Sequence, residues 1–191
     1  MRGSAAGFAA AIGAISFAPA QAHAGIADVH VGVMAHNVCA SASCKNAGKE
    51  DGPNLEMQIS FDSPEFLKWA LAPQPYVMAS VNTAGDTSFA GIGFEWRWDV
   101  TPDWAIEPGL GYVVHNGELN NPYANGTPEA AEFAEEHVQY GSRDLFRVSL
   151  AVTRDLPGPW EMQVLYEHLS HGQIIGEGRN QGVDQIGLRL G

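Results

Sequence analysis

Apolar and polar residues alternate with a period of two along most of the chain after residue 25. In residues 92–99 (IGFEWRWD), bulky apolar side chains occupy every second position and Gly, Glu, Arg and Asp occupy the others. Successive strand residues point to opposite faces of a sheet, so this pattern predicts strands with one apolar and one polar face. Eight such stretches, separated by turn-forming residues, predict an all-β protein. They are residues 28–35, 55–62, 71–82, 92–99, 104–112, 146–153, 160–170 and 184–190.

Eight antiparallel strands of this kind can close into either of two barrels. A soluble barrel turns its apolar faces inward and a membrane barrel turns them outward, and periodicity alone does not separate the two. The connections favour the membrane barrel. Those at residues 37–53, 115–142 and 171–182 are long, whereas those at 102–103 and 156–159 are tight. Outer-membrane barrels pair long extracellular loops with short periplasmic turns in this way.

Aromatic and charged residues favour the same interpretation. Four tryptophans fall at strand ends beside the tight turns, where an interfacial aromatic girdle is expected: Trp96, Trp98, Trp104 and Trp160. The polar faces carry charges that suit the interior of a small membrane barrel better than a soluble core: Glu56, Glu95, Arg97, Glu107, Arg147 and Glu161. The sequence therefore predicts an eight-stranded antiparallel transmembrane β-barrel.

The N-terminus predicts export. Arg2 precedes an Ala-rich apolar run, residues 5–20, and Ala22-His23-Ala24 forms a small-x-small cleavage site. We therefore expect residues 1–24 to be a signal peptide and residues 25–191 to be the barrel. No later segment has the roughly 18 uninterrupted apolar residues of a membrane-spanning helix.

Charge and cysteine content narrow the possible partners. The net charge of −12 argues against nucleic acid, because phosphate binding needs clustered Lys and Arg. Cys39 and Cys44 lie in a polar stretch, and export to an oxidising compartment favours a disulfide between them. Their spacing is not a metal pattern. Because this loop is far from the C-terminal strands in sequence, we expect it to matter more for local stability than for chemistry.

In the long acidic loop, residues 115–142, Thr127 and Pro128 predict the start of a short helix.

The last 24 residues contain a base, a hydroxyl nucleophile and an acid. His168 and Ser170 share strand parity and therefore one face, and Asp184 shares the parity of Ile186 and Leu188 in the final strand. A histidine can remove the proton from a serine hydroxyl, and a carboxylate can orient that histidine. The pattern predicts a triad at the extracellular end of two neighbouring strands. Interfacial polar residues without a catalytic role are the alternative.

Residues 168–170 (HLS) and 180–184 (NQGVD) resemble the PagL family of outer-membrane lipid A 3-O-deacylases. That family has a His-x-Ser-Asn motif at the end of its penultimate strand, followed by a loop with Asn-x-Gly-apolar-acid. The resemblance implies that Ser170 is the nucleophile, His168 the general base and Asp184 the orienting acid. It also implies that Asn180 stabilises the oxyanion, to which the Gly172 N–H can contribute.

The chain departs from the family pattern near this motif. His171 stands where the family usually has Asn, and Gly172 stands where it has Ala. Asp184 is one methylene shorter than the usual Glu, and the connecting loop is about two residues longer.

The implied activity is hydrolysis of the ester-linked 3-position acyl chain of lipid A, the lipid part of lipopolysaccharide, in the bacterial outer membrane. No cofactor is implied. The alternative is a non-catalytic small outer-membrane barrel that acts as a structural or adhesive surface protein. Fatty-acid release from lipopolysaccharide separates the two.

Overall fold

A computed structural model describes residues 25–40, 44, 46–176 and 179–191, and the predicted signal peptide lies outside them. Nine strand segments make up about half of the described chain. They are β1 (Ile26–Ala35), β2 (Asn54–Phe61), β3 (Gln74–Asn82), β4 (Phe89–Glu95), β5 (Trp98–Thr101), β6 (Trp104–His115), β7 (Asp144–Asp155), β8 (Glu161–Ser170) and β9 (Val183–Leu190). The connections contain an α-helix, α1 (Pro128–Glu136), and a 3-10 helix at Glu65–Ala70. Among the described residues, no helix is long and apolar enough to span a membrane.

The strands form a closed barrel. Sequential strands pair antiparallel, and β1 pairs with β9 through a register that includes Val31 opposite Leu190, which closes the sheet. Both β4 and β5 pair with β6, so they are successive parts of one barrel strand. The predicted eight-stranded antiparallel barrel is confirmed.

The break between β4 and β5 lies opposite a proline. Glu95 faces Gly109 and Trp98 faces Ile106 in one unchanged register, so the two segments form a continuous path. Between them, the Trp96 N–H donates to the Pro108 carbonyl at 3.0 Å. Pro108 has no backbone N–H and cannot donate the second hydrogen bond of this pair, so the ladder of hydrogen bonds is interrupted at this point.

Apolar side chains cover the outside of the barrel, and the inside contains many polar side chains together with an apolar cluster that includes Met78, Val113 and Leu169. On β2, Leu55 and Met57 are exposed, whereas Glu56 and Gln58 are buried. On β7, Val148 and Leu150 are exposed, whereas Arg147 is buried. This is the arrangement of a membrane barrel and the reverse of a soluble one.

The buried charges in the barrel interior are paired. The Arg147 guanidinium donates to Glu167 at 2.5 Å and to the Tyr76 hydroxyl at 2.9 Å. Arg189 donates to Gln58 at 2.8 Å and to Glu56 at 3.2 Å. Removing one partner from such a network leaves an uncompensated buried charge, so these pairs hold the barrel to one packing arrangement.

The two ends of the barrel differ. The two longest connections, residues 36–53 and 116–143, lie at one end together with residues 83–88 and 171–182. At this end α1 starts with Thr127 as its N-cap, as predicted, and the Thr127 hydroxyl accepts from the Ala130 N–H at 3.2 Å. The tight turns lie at the other end, together with the 62–73 connection and the exposed side chains of Trp98, Trp104 and Trp160. Beside them, the Trp96 indole donates to the Ala70 carbonyl at 2.8 Å and ties the 3-10 helix to the barrel.

The predicted disulfide between Cys39 and Cys44 is present. Its loop is far from β9 in sequence but adjacent to it in space. The Val38 N–H donates to the Asp184 carbonyl at 2.9 Å, and the Asn46 side chain donates to the Gly182 carbonyl at 3.3 Å. The first long loop therefore supports the start of β9, which the sequence did not predict.

Candidate active site

Strands β8 and β9 bring the predicted base and acid together. His168 lies directly opposite Asp184 in the antiparallel register. The His168 Nδ1 atom is 2.7 Å from Asp184 Oδ1. A carboxylate can only accept, so the contact places the proton of a neutral His168 on Nδ1 and leaves Nε2 as an acceptor. That tautomer is the one a general base requires.

The Asp184 carboxylate has a second donor that the sequence argument did not assign. The Tyr166 hydroxyl donates to Asp184 Oδ1 at 2.9 Å. The Asp184 side chain is fully buried, whereas that of His168 is 27% exposed. The acid is thus shielded from solvent and held by two donors, while the base stays accessible. Tyr166 and His168 are two residues apart and share a strand face, which is the signal that could have identified Tyr166.

Ser170 ends β8 on the same face as His168, about 7 Å along the strand. It lines an apolar groove of about 870 Å³ on the outer wall of the barrel. The groove follows one row of cross-strand neighbours that begins at Ser170 and continues through Phe146, Tyr112, Ile92 and Val77. At about 4.8 Å per strand, this row is about 19 Å long.

The loop after Ser170 contains the two predicted oxyanion residues. Gly172 lines the same groove and has a φ of +58°, in the left-handed region that favours glycine. Asn180 lies across the loop, and its Oδ1 accepts from the His171 N–H at 3.3 Å. This contact turns the amide oxygen of Asn180 towards the backbone and leaves its NH₂ group for other partners.

His171 is buried inside this loop, beyond the end of β8. It therefore does not share the face of His168. Two other histidines contact carboxylates: His30 lies 2.5 Å from Glu161 and His36 lies 2.7 Å from Glu50. Within the part of the chain that the structure describes, no group of three or more His, Cys, Asp and Glu side chains could hold a metal ion.

Comparisons with known proteins identify a similar fold but no related sequence. No protein-family model matches the chain, and no characterised relative matches its sequence. Among solved structures, the chain is similar to one described as the crystal structure of the outer membrane enzyme PagL. The TM-score is 0.54 at 14% sequence identity, over 85% of this chain and 96% of that one. At this identity the likeness establishes a shared barrel fold.

Proposed function

We propose that this protein is an outer-membrane ester hydrolase that removes the 3-position acyl chain of lipid A. One observation carries the proposal. His168, oriented by a buried Asp184 at 2.7 Å, shares a strand face with Ser170, and Ser170 lines an apolar groove on the outside of the barrel. A structural or adhesive barrel has no need of a buried carboxylate at this position, whereas a hydrolase does.

The membrane location is supported by the surface of the barrel. Apolar side chains such as Val33, Leu55, Ile92, Leu110 and Leu188 are each more than half exposed, which water would penalise and lipid would not. Exposed tryptophans border this surface at the turn end. The candidate signal peptide, residues 1–24, provides the route of export.

The proposed chemistry requires His168 Nε2 and the Ser170 hydroxyl, which share a strand face, to come within hydrogen-bond distance when the ester binds. The Ser170 hydroxyl attacks the ester carbonyl carbon while His168 Nε2 takes its proton, giving a tetrahedral intermediate. The negative Asp184 stabilises the imidazolium that forms. The carbon–oxygen bond to the sugar then breaks, and His168 returns the proton to the departing sugar hydroxyl. Water, activated by the same histidine, hydrolyses the acyl-serine and releases the fatty acid.

Asn180 and the Gly172 N–H are the proposed oxyanion donors. The NH₂ group of Asn180 is left for this role because its oxygen accepts from the His171 N–H. A preorganised donor of this kind is worth about 3 kcal/mol in the transition state of acyl transfer.

The groove supports a lipid as substrate. It begins at Ser170 and is lined mainly by apolar side chains, among them Phe146, Tyr112, Ile92 and Val77. An acyl chain along it would remain against the barrel wall while the ester reaches Ser170. A substrate that is itself a membrane lipid could approach laterally without leaving the bilayer. The fold likeness to PagL and the residue pattern at 168–170 and 180–184 point to lipid A within this class.

The test is fatty-acid release from purified lipopolysaccharide by detergent-folded protein, with both products identified by mass. We expect loss of one ester-linked chain, and we expect Ser170→Ala to lower the rate by at least about 10³-fold. Ser63→Ala, at the turn end of the barrel, is the matched control and should keep the wild-type rate. Wild-type hydrolysis by Ser170→Ala would eliminate the triad and favour the surface-protein alternative.

A further inference from the structure

His171 is the most unusual side chain near the site. Its relative exposure is 0%, yet the residues that directly follow it, 172–175, are exposed. It also follows the proposed nucleophile directly. A buried imidazole in an exposed loop needs partners for both ring nitrogens, and this one has them.

The two ring nitrogens join the two ends of the loop. Nδ1 accepts from the Gln173 N–H at 3.1 Å, and Nε2 lies 3.1 Å from the Arg179 carbonyl. An amide N–H can only donate and a carbonyl can only accept, so one neutral tautomer, with the proton on Nε2, satisfies both contacts. The imidazole thus links the backbone of Gln173 to the backbone of Arg179.

The link ends one residue before Asn180. The backbone N–H of His171 donates to Asn180 Oδ1, so the same residue fixes both the peptide before Asn180 and the direction of its amide. On the other side of Asn180, the Gln181 N–H donates to the Gln139 carbonyl at 3.2 Å and the Gln181 side chain accepts from the Gln139 N–H at 2.7 Å. Asn180 is therefore anchored from both directions.

We propose that His171 is a positioning residue for hydrolysis, and that its ring holds Asn180 with its NH₂ group directed to the oxyanion. This inference rests on the proposed function. It assigns to His171 a role in the oxyanion environment that does not involve proton transfer or contact with the reacting atoms. The hydrogen bond from His171 Nε2 to the Arg179 carbonyl is the contact that positions Asn180, because it fixes the peptide between Arg179 and Asn180.

A double-mutant cycle tests the coupling. The full chain, folded in detergent, is assayed on lipopolysaccharide and, separately, on p-nitrophenyl octanoate as a simple ester. We expect Asn180→Ala to lower kcat about 100-fold. We expect His171→Ala to lower kcat about 10-fold with KM changed less than about 3-fold. In the Asn180→Ala background, His171→Ala should cost less than about 2-fold more, because its effect passes through Asn180.

Two conservative variants distinguish the contributions of the two hydrogen bonds that the His171 ring makes. Glutamine can place a donor near the position of Nε2 and keep the bond to Arg179, whereas asparagine can place an acceptor near Nδ1 and keep only the bond to Gln173. We expect His171→Gln to recover most of the activity lost in His171→Ala, and His171→Asn to recover less. His137→Gln, in the loop after α1, is the matched control and should leave kcat unchanged.

The outcomes distinguish this inference from the proposed function. Independent effects of His171→Ala and Asn180→Ala, which multiply in the double variant, would overturn the role of His171. Wild-type kcat in Asn180→Ala would remove the oxyanion assignment and this inference with it. Full activity in Ser170→Ala would instead overturn the proposed function. Hydrolysis of the simple ester alone would reject lipid A as substrate while the cycle still tests His171. Heat-modifiable gel migration of every variant confirms that the barrel has folded.

Discussion

At Asp184, a carboxylate points to the same side of β9 as the exposed apolar residues Ile186 and Leu188. Burying an unpaired carboxylate there would cost several kcal/mol. The cost is offset because the Tyr166 hydroxyl and the His168 Nδ1–H both donate to Oδ1, at 2.9 and 2.7 Å. The same contacts orient the histidine, so the groups that make the burial tolerable also orient the proposed base.

Tyr166→Phe tests this arrangement with the loss of one oxygen atom. Without the hydroxyl, Asp184 keeps a single described donor on Oδ1, and His168 is held less firmly. We expect kcat to fall about 10-fold, the effect of losing one hydrogen bond to a charged group, with little change in the barrel's thermal stability. Steady-state kinetics on lipopolysaccharide measures the effect. Tyr123→Phe, in an exposed loop, is the matched control. An unchanged kcat in Tyr166→Phe would show that the Tyr166 hydroxyl is not needed to hold the acid.

Parity along β8 and β9 was enough to place His168, Ser170 and Asp184 on the outer wall, because strand side chains alternate strictly. Parity was not enough to identify the contact between Tyr166 and Asp184. It gives the face of a side chain but not which hydroxyl reaches which carboxylate. His171 was harder still, because its partners are backbone groups of an irregular loop and no sequence period describes such contacts.

The first long loop acts on the site as a structural element. The Val38 N–H donates to the carbonyl of Asp184, and Asn37 donates to the Asn46 carbonyl within the same loop at 2.6 Å. The disulfide between Cys39 and Cys44 closes the loop between these contacts. Distance in sequence suggested that this loop was remote from the chemistry. The closed barrel makes β1 and β9 neighbours, and the loop after β1 therefore lies beside the start of β9.

Reduction of this disulfide should therefore affect catalysis as well as local stability. Closing so short a loop is worth about 2 kcal/mol through the entropy of the open chain. We expect Cys39→Ser combined with Cys44→Ser to lower kcat several-fold, because the backbone of Asp184 is held less rigidly. A reductant should lower the wild-type rate to the same level and leave the double variant unaffected. Full wild-type activity after complete reduction, verified by alkylation and intact mass, would show that the loop is independent of the site.

The strands themselves were largely predictable from the sequence, and their irregularities were not. The pattern at residues 92–99 was read as one strand, and the structure divides it into β4 and β5. The cause is on the neighbouring strand, where Pro108 cannot donate a hydrogen bond to the ladder. A local pattern cannot reveal this, because it requires knowing which residue lies opposite.

At the scale of the whole molecule, the barrel reverses the usual distribution of polarity. Arg147, Arg189 and Glu167 are buried inside, whereas the outer wall is apolar. Beside these charges, the interior contains a cluster of buried apolar side chains that includes Met78, Val113 and Leu169. Stability therefore comes from this cluster, from the closed ladder, from the paired interior charges and from lipid around the outer wall. The groove from Ser170 is a part of that same wall, so the surface that would be solvated by lipid is also the surface that would bind a lipid substrate.

Two arginine substitutions at equally exposed positions test this account. Leu150, in the middle of β7, is 46% exposed, and Tyr123, in the loop before α1, is 49% exposed. In a water-soluble protein, substitutions at such surface positions change stability by less than about 0.5 kcal/mol. On the lipid-facing wall near the bilayer midplane, arginine costs about 2–4 kcal/mol. We expect Leu150→Arg to lower the free energy of unfolding in lipid vesicles by that larger amount, and Tyr123→Arg to change it little. Urea titration followed by tryptophan fluorescence measures both. Equal and small effects would mean that the apolar wall does not face lipid, and the lateral approach of a membrane substrate to Ser170 would then have no physical basis.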